Sequence, residues 1–179
     1  YKLGSKLPAT TLIVHEINLV DGARPVFVTR GRMAHEEKVE VERMIKELLR
    51  DGTIQWSTSP YSSPLVVVTK HNGTKRICND FRSLNKITVP DRYLPCRADE
   101  IIAAFLGRKI FSKFDLKAGY YQICVKAGDR HKTSFSVPGL GQFEYIRLPF
   151  GLINAPATFC RLMQKVMDPI RNLTLDGKT

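Results

Sequence analysis

Asp115 sits in the setting that most suggests chemistry. In Phe111-Ser112-Lys113-Phe114-Asp115-Leu116-Lys117-Ala118-Gly119-Tyr120-Tyr121-Gln122-Ile123, apolar and aromatic residues run up to a lone acid, and a glycine and two tyrosines come soon after. A carboxylate delivered at a strand end beside a tight turn is one way to hold a hard divalent cation, which takes oxygen ligands. The same arrangement ends ordinary strands, and this stretch alone leaves both readings open. A second set of candidates is cationic. Lys70, Lys75 and Arg76 lie near the tip of a hairpin, with Arg82 just after it. A solvated charged turn is the ordinary reading, but two strands presenting cations also suit phosphate. The cysteines offer no third set. Cys78, Cys96, Cys124 and Cys160 have no metal-ligand spacing and no histidine beside them.

These residues need elements to hold them. Residues 1 to 32 show no clear period, although Thr11 to Ile17 could form a strand, and they read as an arm lying on the body. His15 in that arm reads as structural. A helix is predicted over His35–Asp51, because Val41, Met44, Ile45, Leu48 and Leu49 share one face. Glu36 and Glu37 in its first turn and Arg50 in its last suit the helix dipole. Glu42 and Lys46 are spaced to pair, and Gly52 supplies the stop. Gln55 to Pro64 reads as a polar loop in which Trp56 is a packing anchor. Leu65–Lys70 and Lys75–Asp80 flank His71-Asn72-Gly73-Thr74 as a hairpin.

Phe81–Pro95 reads as loop and Ala98–Leu106 as a short helix ended by Gly107. Lys109–Phe114 is predicted as the strand leading to Asp115. Gln122–Val125 is short and β-like, and Ala127-Gly128-Asp129 turns the chain. Lys132–Val137 and Gln142–Leu148 pair across the turn at Pro138–Gly141. Asn154 is placed to cap a last helix with Pro156 in its first turn. Phe159, Leu162, Met163, Val166 and Met167 carry that helix until Pro169 stops it, and Arg171–Thr179 reads as loop. Helices mixed with antiparallel hairpins make an α+β class.

With 179 residues and a hydrophobic share of 43%, the chain has enough material for one domain with a real core. Its 28 lysines and arginines against 17 acids leave a net charge of +11. That excess points to a polyanion partner, nucleic acid ahead of an anionic membrane. The apolar neighbours of each cysteine predict buried free thiols and a reducing compartment. No apolar run is long enough to cross a bilayer, and no signal peptide is present. A start at Tyr1 rather than methionine reads as a piece of something longer.

Four blocks resemble one family. They are Trp56-Ser57-Thr58-Ser59-Pro60-Tyr61-Ser62-Ser63-Pro64, Arg76-Ile77-Cys78-Asn79-Asp80-Phe81-Arg82-Ser83-Leu84-Asn85, Phe111 to Ile123, and Leu148-Pro149-Phe150-Gly151-Leu152-Ile153-Asn154-Ala155-Pro156-Ala157-Thr158-Phe159. In this order and spacing the chain resembles the reverse transcriptase of LTR retrotransposons of the Gypsy type. The resemblance implies a right-hand polymerase fold: an extended arm over 1–34, the fingers and the start of the palm over 35–110, and an incomplete palm with an inserted fingers hairpin over 111–179. It implies an RNA-directed DNA polymerase that joins deoxynucleotides to a primer 3′-hydroxyl.

In that reading Asp115 is the catalytic carboxylate and a metal ligand, with the Leu116 carbonyl as a second ligand. Lys70 and Arg76 bind the triphosphate, and Tyr120 gates against a 2′-hydroxyl. Phe150 and Gly151 line the nucleotide pocket. The implied cofactor is Mg²⁺, with Mn²⁺ as a substitute. The implied partners are an RNA or DNA template-primer, deoxynucleoside triphosphates and the rest of a Pol polyprotein, with no membrane. The implied location is the cytoplasm, in a virus-like particle, with the nucleus as the alternative.

One departure matters. The family places an adjacent pair of aspartates beyond this last helix, and no Asp-Asp occurs in residues 1–179. The acids after Asp115 are Asp129, Glu144, Asp168 and Asp176, none of them in such a motif. The isolated chain is therefore expected to lack polymerase activity and to leave a sheet edge exposed. The alternative function is a non-catalytic nucleic-acid-binding remnant or co-opted protein. A basic α+β domain unrelated to the family is a third.

Overall fold

The computed structural model describes residues 8–31, 33–69, 73, 75–93, 98–113 and 115–175. The elements run β1 (Val14–His15), α1 (His35–Arg50), β2 (Ile54–Trp56), β3 (Leu65–Thr69), β4 (Lys75–Asn79), α2 (Arg82–Lys86) and α3 (Ala98–Phe105). A 3-10 turn (Gly119–Gln122), β5 (Cys124–Val125), a second 3-10 stretch (Ala127–Thr133), β6 (Phe135–Val137), β7 (Gly141–Tyr145) and α4 (Ala155–Leu175) complete the order. Helices and antiparallel sheets are mixed, as an α+β class requires. β2, β7 and β6 form an antiparallel sheet in that order, β3 and β4 form a hairpin, and β1 pairs with β5 in parallel. The core lies between α1, the β2–β7–β6 sheet and the start of α4. Val41, Ile54, Phe81, Phe135, Phe143, Tyr145 and Leu148 are almost fully enclosed in it.

Elements with local causes match the sequence. α1 buries Val41, Met44 and Ile45. Gly52 comes after it at φ 66°, where a side chain would be strained. The Lys46 ammonium sits 2.8 Å from Glu42. The β3–β4 register sets Leu65 opposite Asn79 and Thr69 opposite Lys75. The described part of the arm, 8–31, lies on the body. Thr10 N–H donates to the Gln122 carbonyl and Val28 N–H to the Ser62 carbonyl.

Other expectations need correction. The strand over Thr11–Ile17 shrinks to two residues, because Ile17 N–H donates to the buried Asp129 carboxylate instead of to a ladder. β2 forms inside the predicted polar loop: Gln55 and Trp56 pair with Glu144 and Phe143 across the sheet. Trp56 packs on Phe143 with ring centroids 4.6 Å apart, yet 64% of it is exposed, so it anchors with one face only. α2 replaces part of the predicted loop after β4, with Asp80 Oδ1 accepting from Arg82 N–H to turn the chain into it. Residues 127–133 form a 3-10 stretch rather than a turn and the start of a strand. There Lys132 reaches back to Asp129 at 2.6 Å, and Thr133 Oγ1 donates to the Arg130 carbonyl. The described thiols, Cys78, Cys124 and Cys160, are free but half-buried rather than buried.

Two corrections concern α4. Asn154 holds its backbone position at the start of the helix, accepting from Thr158 N–H. Its side chain does not cap. Instead its oxygen accepts from Asp91 N–H and its amide donates to the Val89 carbonyl, tying a distant loop to the helix. Pro169 does not stop α4, which runs through it to Leu175. The missing N–H and ring clash of an internal proline bend or weaken a helix without always ending it.

The predicted strand over Lys109–Phe114 does not form among the described residues. Ile110 is 90% exposed and Phe111 58%. A strand needs a hydrogen-bonding neighbour for its backbone groups, and no described strand pairs with this segment, whose Phe111 meets the ring of Phe105 on α3. α3 likewise presents Ile102 and Phe105 outward, so the apolar face expected there is not buried by the described residues.

Candidate active site

Asp115 stands exposed on irregular chain, and Leu116 beside it is 42% exposed. The turn directly after them is tightly built. Ala118 takes φ 50°, the left-handed region that a non-glycine residue occupies at a cost of roughly 1–2 kcal/mol. That turn starts the 3-10 segment, in which Tyr121 N–H donates to the Ala118 carbonyl and Ile123 N–H to the Tyr120 carbonyl. Gln122 Nε2 reaches back to the Lys117 carbonyl at 2.9 Å. Gly119 is needed here for space. A Cβ on it would lie 2.9 Å from a ring carbon of Phe159 on α4. Without one, Phe159 comes close enough to support Tyr120, with ring centroids 5.2 Å apart.

The facing wall is Phe150–Gly151. Gly151 takes φ 97°, where a side chain would be strained, and a Cβ there would just touch the Asn79 carbonyl at 3.4 Å. Asn85 on α2 clamps this bend from both sides. Its amide donates to the Gly151 carbonyl at 2.8 Å, and its oxygen accepts from Ile153 N–H at 3.0 Å. Phe150 is thereby held outward. It stacks on Tyr120 at 4.8 Å and 23°, and meets the edge of Tyr121 at 6.0 Å. The Arg76 guanidinium of β4 lies 6.0 Å from the Phe150 ring centroid, within cation–π range.

Most of the expected residues therefore converge. Asp115, Leu116, Tyr120 and Phe150 line one cavity of about 840 Å³. Arg76 joins them through Phe150, and Gly151 supports Phe150 from behind. Lys70 lies outside the described residues. The far side of the cavity is the apolar face of α4: Phe159, Leu162, Met163, Val166 and Met167. Helical spacing marks these five as one face without showing that part of it stays open. Asn85 and Gly119 stand in the family-like blocks, but nothing in the sequence shows them as clamp and spacer.

The phenols of the site stay neutral. Burial, with a smaller contribution from Cys78, pushes the Tyr121 hydroxyl up to about 12 against the opposing pull of Arg76. Tyr120 is also raised, mainly by burial. The donor set for a metal is incomplete. Asp115 is the only carboxylate lining the cavity among the described residues, and no group of three potential ligands occurs among them. One carboxylate with a neighbouring carbonyl fits part of the oxygen shell of a hard cation and does not hold a pair of ions.

The family profile for reverse transcriptase (RNA-dependent DNA polymerase) matches residues 68–176, more than half of the chain. The chain belongs to the reverse transcriptase family. It is 39% identical over 177 residues to the Retrovirus-related Pol polyprotein from transposon 297 of Drosophila melanogaster, covering 96% of this chain and 16% of that polyprotein. It is 44% identical over 168 residues to the Pol polyprotein from transposon gypsy of the same fly, covering 90% of this chain and 16% of the relative. The Enzymatic polyprotein of Cauliflower mosaic virus (strain D/H) is 35% identical over 159 residues, covering 87% of this chain and 23% of the relative. The chain thus spans less than a quarter of each of these relatives. The likeness is to the reverse transcriptase segment of retrotransposon Pol polyproteins, as the four sequence blocks implied, and an unrelated basic domain is set aside.

Proposed function

We propose that the chain forms the fingers and part of the palm of a retrotransposon RNA-directed DNA polymerase. In this reading residues 1–34 are the arm, 35–110 the fingers and the start of the palm, and 111–179 the incomplete palm of a right-hand fold. The observation that carries it is the convergence of Asp115, Tyr120 and Phe150 on one cavity, with Arg76 poised over Phe150. Arg76 presents a planar fork suited to phosphate oxygens, and Lys70 is the companion cation. Tyr120 forms the floor under the sugar, and Phe150 and Gly151 form the wall.

Mg²⁺, or Mn²⁺ in its place, would be held in part by Asp115 and the Leu116 carbonyl. The adjacent aspartates that the family carries would supply the rest. When bound, such ions stabilise the attacking and leaving oxygens of the transfer. The partners are an RNA or DNA template-primer, deoxynucleoside triphosphates and the remainder of a Pol polyprotein, in a cytoplasmic virus-like particle.

The 179 residues alone are expected to show no templated, Mg²⁺-dependent incorporation of deoxynucleotides, whereas a longer natural polypeptide that includes an Asp-Asp pair is expected to show it. Synthesis by the 179-residue chain would overturn the single-carboxylate argument. A longer polypeptide that has the pair and stays inactive would favour a non-catalytic remnant. Tyr120→Val in the active polypeptide should lower discrimination against ribonucleotides by roughly 10-fold or more, because a smaller side chain leaves room for the 2′-hydroxyl. The ratio of kcat/KM for the two sugar types measures this, and an unchanged ratio removes Tyr120 from the gate.

A further inference from the structure

The surface around Trp56 is not used by the site described above. Trp56 is 64% exposed, which is unusual for a tryptophan on a strand paired into the core sheet. The ring is held in place. One face rests on buried Phe143, and its edge lies over Gly141, where a Cβ would come within 2.7 Å of Trp56 Cζ3. Two residues earlier in the same turn, Gly139 lies beneath the Lys38 ammonium of α1. A Cβ at Gly139 would fall 2.7 Å from Lys38 Nζ. Both glycines have positive φ, 76° at Gly139 and 117° at Gly141. The β6–β7 turn thus brings a cation and an open aromatic face together on one surface.

Lys38 makes no ion pair among the described residues. Glu42, one turn along α1, feels its charge but is bonded to Lys46, so the Lys38 ammonium stays open. Glu144 lies on the opposite face of the sheet, because neighbouring residues of a strand alternate, and there it accepts from Gln55 and Ser57.

We propose that Trp56 and Lys38 form a stacking platform for single-stranded nucleic acid, apart from the candidate active site. Proteins that hold single strands without sequence preference combine aromatic rings that stack bases with cations that track the backbone. A net charge of +11 favours a polyanionic occupant over a protein one. The proposal rests on the reverse transcriptase reading only in that a nucleic acid is the partner. It does not depend on catalysis.

Trp56 is the only tryptophan in the chain, so its fluorescence reports on this surface alone. The 179-residue chain is titrated at low salt with end-labelled oligothymidylate and oligoadenylate of roughly 12 nucleotides, and label anisotropy and tryptophan emission are read together. Binding should quench Trp56 with both homopolymers. Trp56→Ala should weaken binding roughly 5- to 100-fold. Lys38→Ala, which leaves the ring and its packing in place, should flatten the slope of log K against log salt by about 0.7.

Oligonucleotide binding with unchanged emission and an unchanged slope in Lys38→Ala would overturn the platform and leave the polymerase reading intact. Emission that changes with protein concentration alone would assign the ring to contact between copies and also overturn it. No binding at low salt would remove both this platform and the nucleic-acid partner.

Discussion

Asp115→Ala in an active polypeptide containing this chain is expected to lower DNA synthesis by about 10³-fold or more while leaving the fold intact. The size comes from the role of the carboxylate in the proposed site. It is the only acid that the described residues bring to the cavity, so its loss removes this chain's charged share of the metal shell. A 10³-fold loss corresponds to about 4 kcal/mol of transition-state stabilisation. The tolerance of the fold comes from the surroundings. Asp115 is exposed, and no ion pair holds it among the described residues. Exposed substitutions of this kind usually change stability by less than about 0.5 kcal/mol. Single-turnover incorporation and urea unfolding of the same variant check both halves. Full synthesis would make Asp115 an ordinary loop residue, and a large loss of stability would make it structural.

His15 is expected to make the protein acid-labile. It lies on β1, 1% exposed, with Nδ1 2.8 Å from Thr158 Oγ1 on α4. The threonine hydroxyl is placed to donate to the Asn154 carbonyl. The buried ring is neutral at pH 7 and shares a proton with this hydroxyl. Burial lowers its pKa from 6.5 to about 4, outweighing Asp129, Asp91 and Glu16, which pull the other way. The folded value is below the unfolded one, so the unfolded chain binds more protons between them. Stability is therefore complete above about pH 6.5 and falls as pH drops toward about 4, by roughly 3 kcal/mol in all.

His15→Gln should remove this part of the pH dependence, and urea midpoints of the two proteins should diverge between about pH 7 and about pH 4.5. Parallel curves would show that another group carries the effect. The consequence reaches the candidate site, because β1 pairs with β5 directly after the turn that presents Tyr120. Loosening the arm at low pH should therefore loosen that turn.

The residues of the candidate site are visible in the sequence, but their geometry is not. Asp115, Tyr120, Phe150 and Gly151 stand in blocks that resemble one family, and the structure brings them to one place. The clamp at Asn85 cannot be read from sequence, because it joins residues 66 positions apart through side-chain hydrogen bonds. The closeness of Phe159 to Gly119 is equally non-local. Trp56 reads as an ordinary anchor because sequence shows that a large ring is present and not which of its faces is covered.

Helix α1, the β3–β4 hairpin and the start of α4 come from sequence alone, because their hydrogen bonds and stop signals lie within one helix or between two strands joined by one short turn. The sequence also determined the family and the excess positive charge, which depend on residue identity and not on placement. Only the tertiary structure decided that residues 109–113 stay out of a ladder, that Asn154 ties a loop instead of capping a helix, and that α4 runs on past Pro169. A strand exists only if a partner lies alongside, and a polar side chain takes whichever partner the packed chain brings near. Both depend on segments far away in sequence, whose approach is set by burial of the whole core rather than by any local pattern.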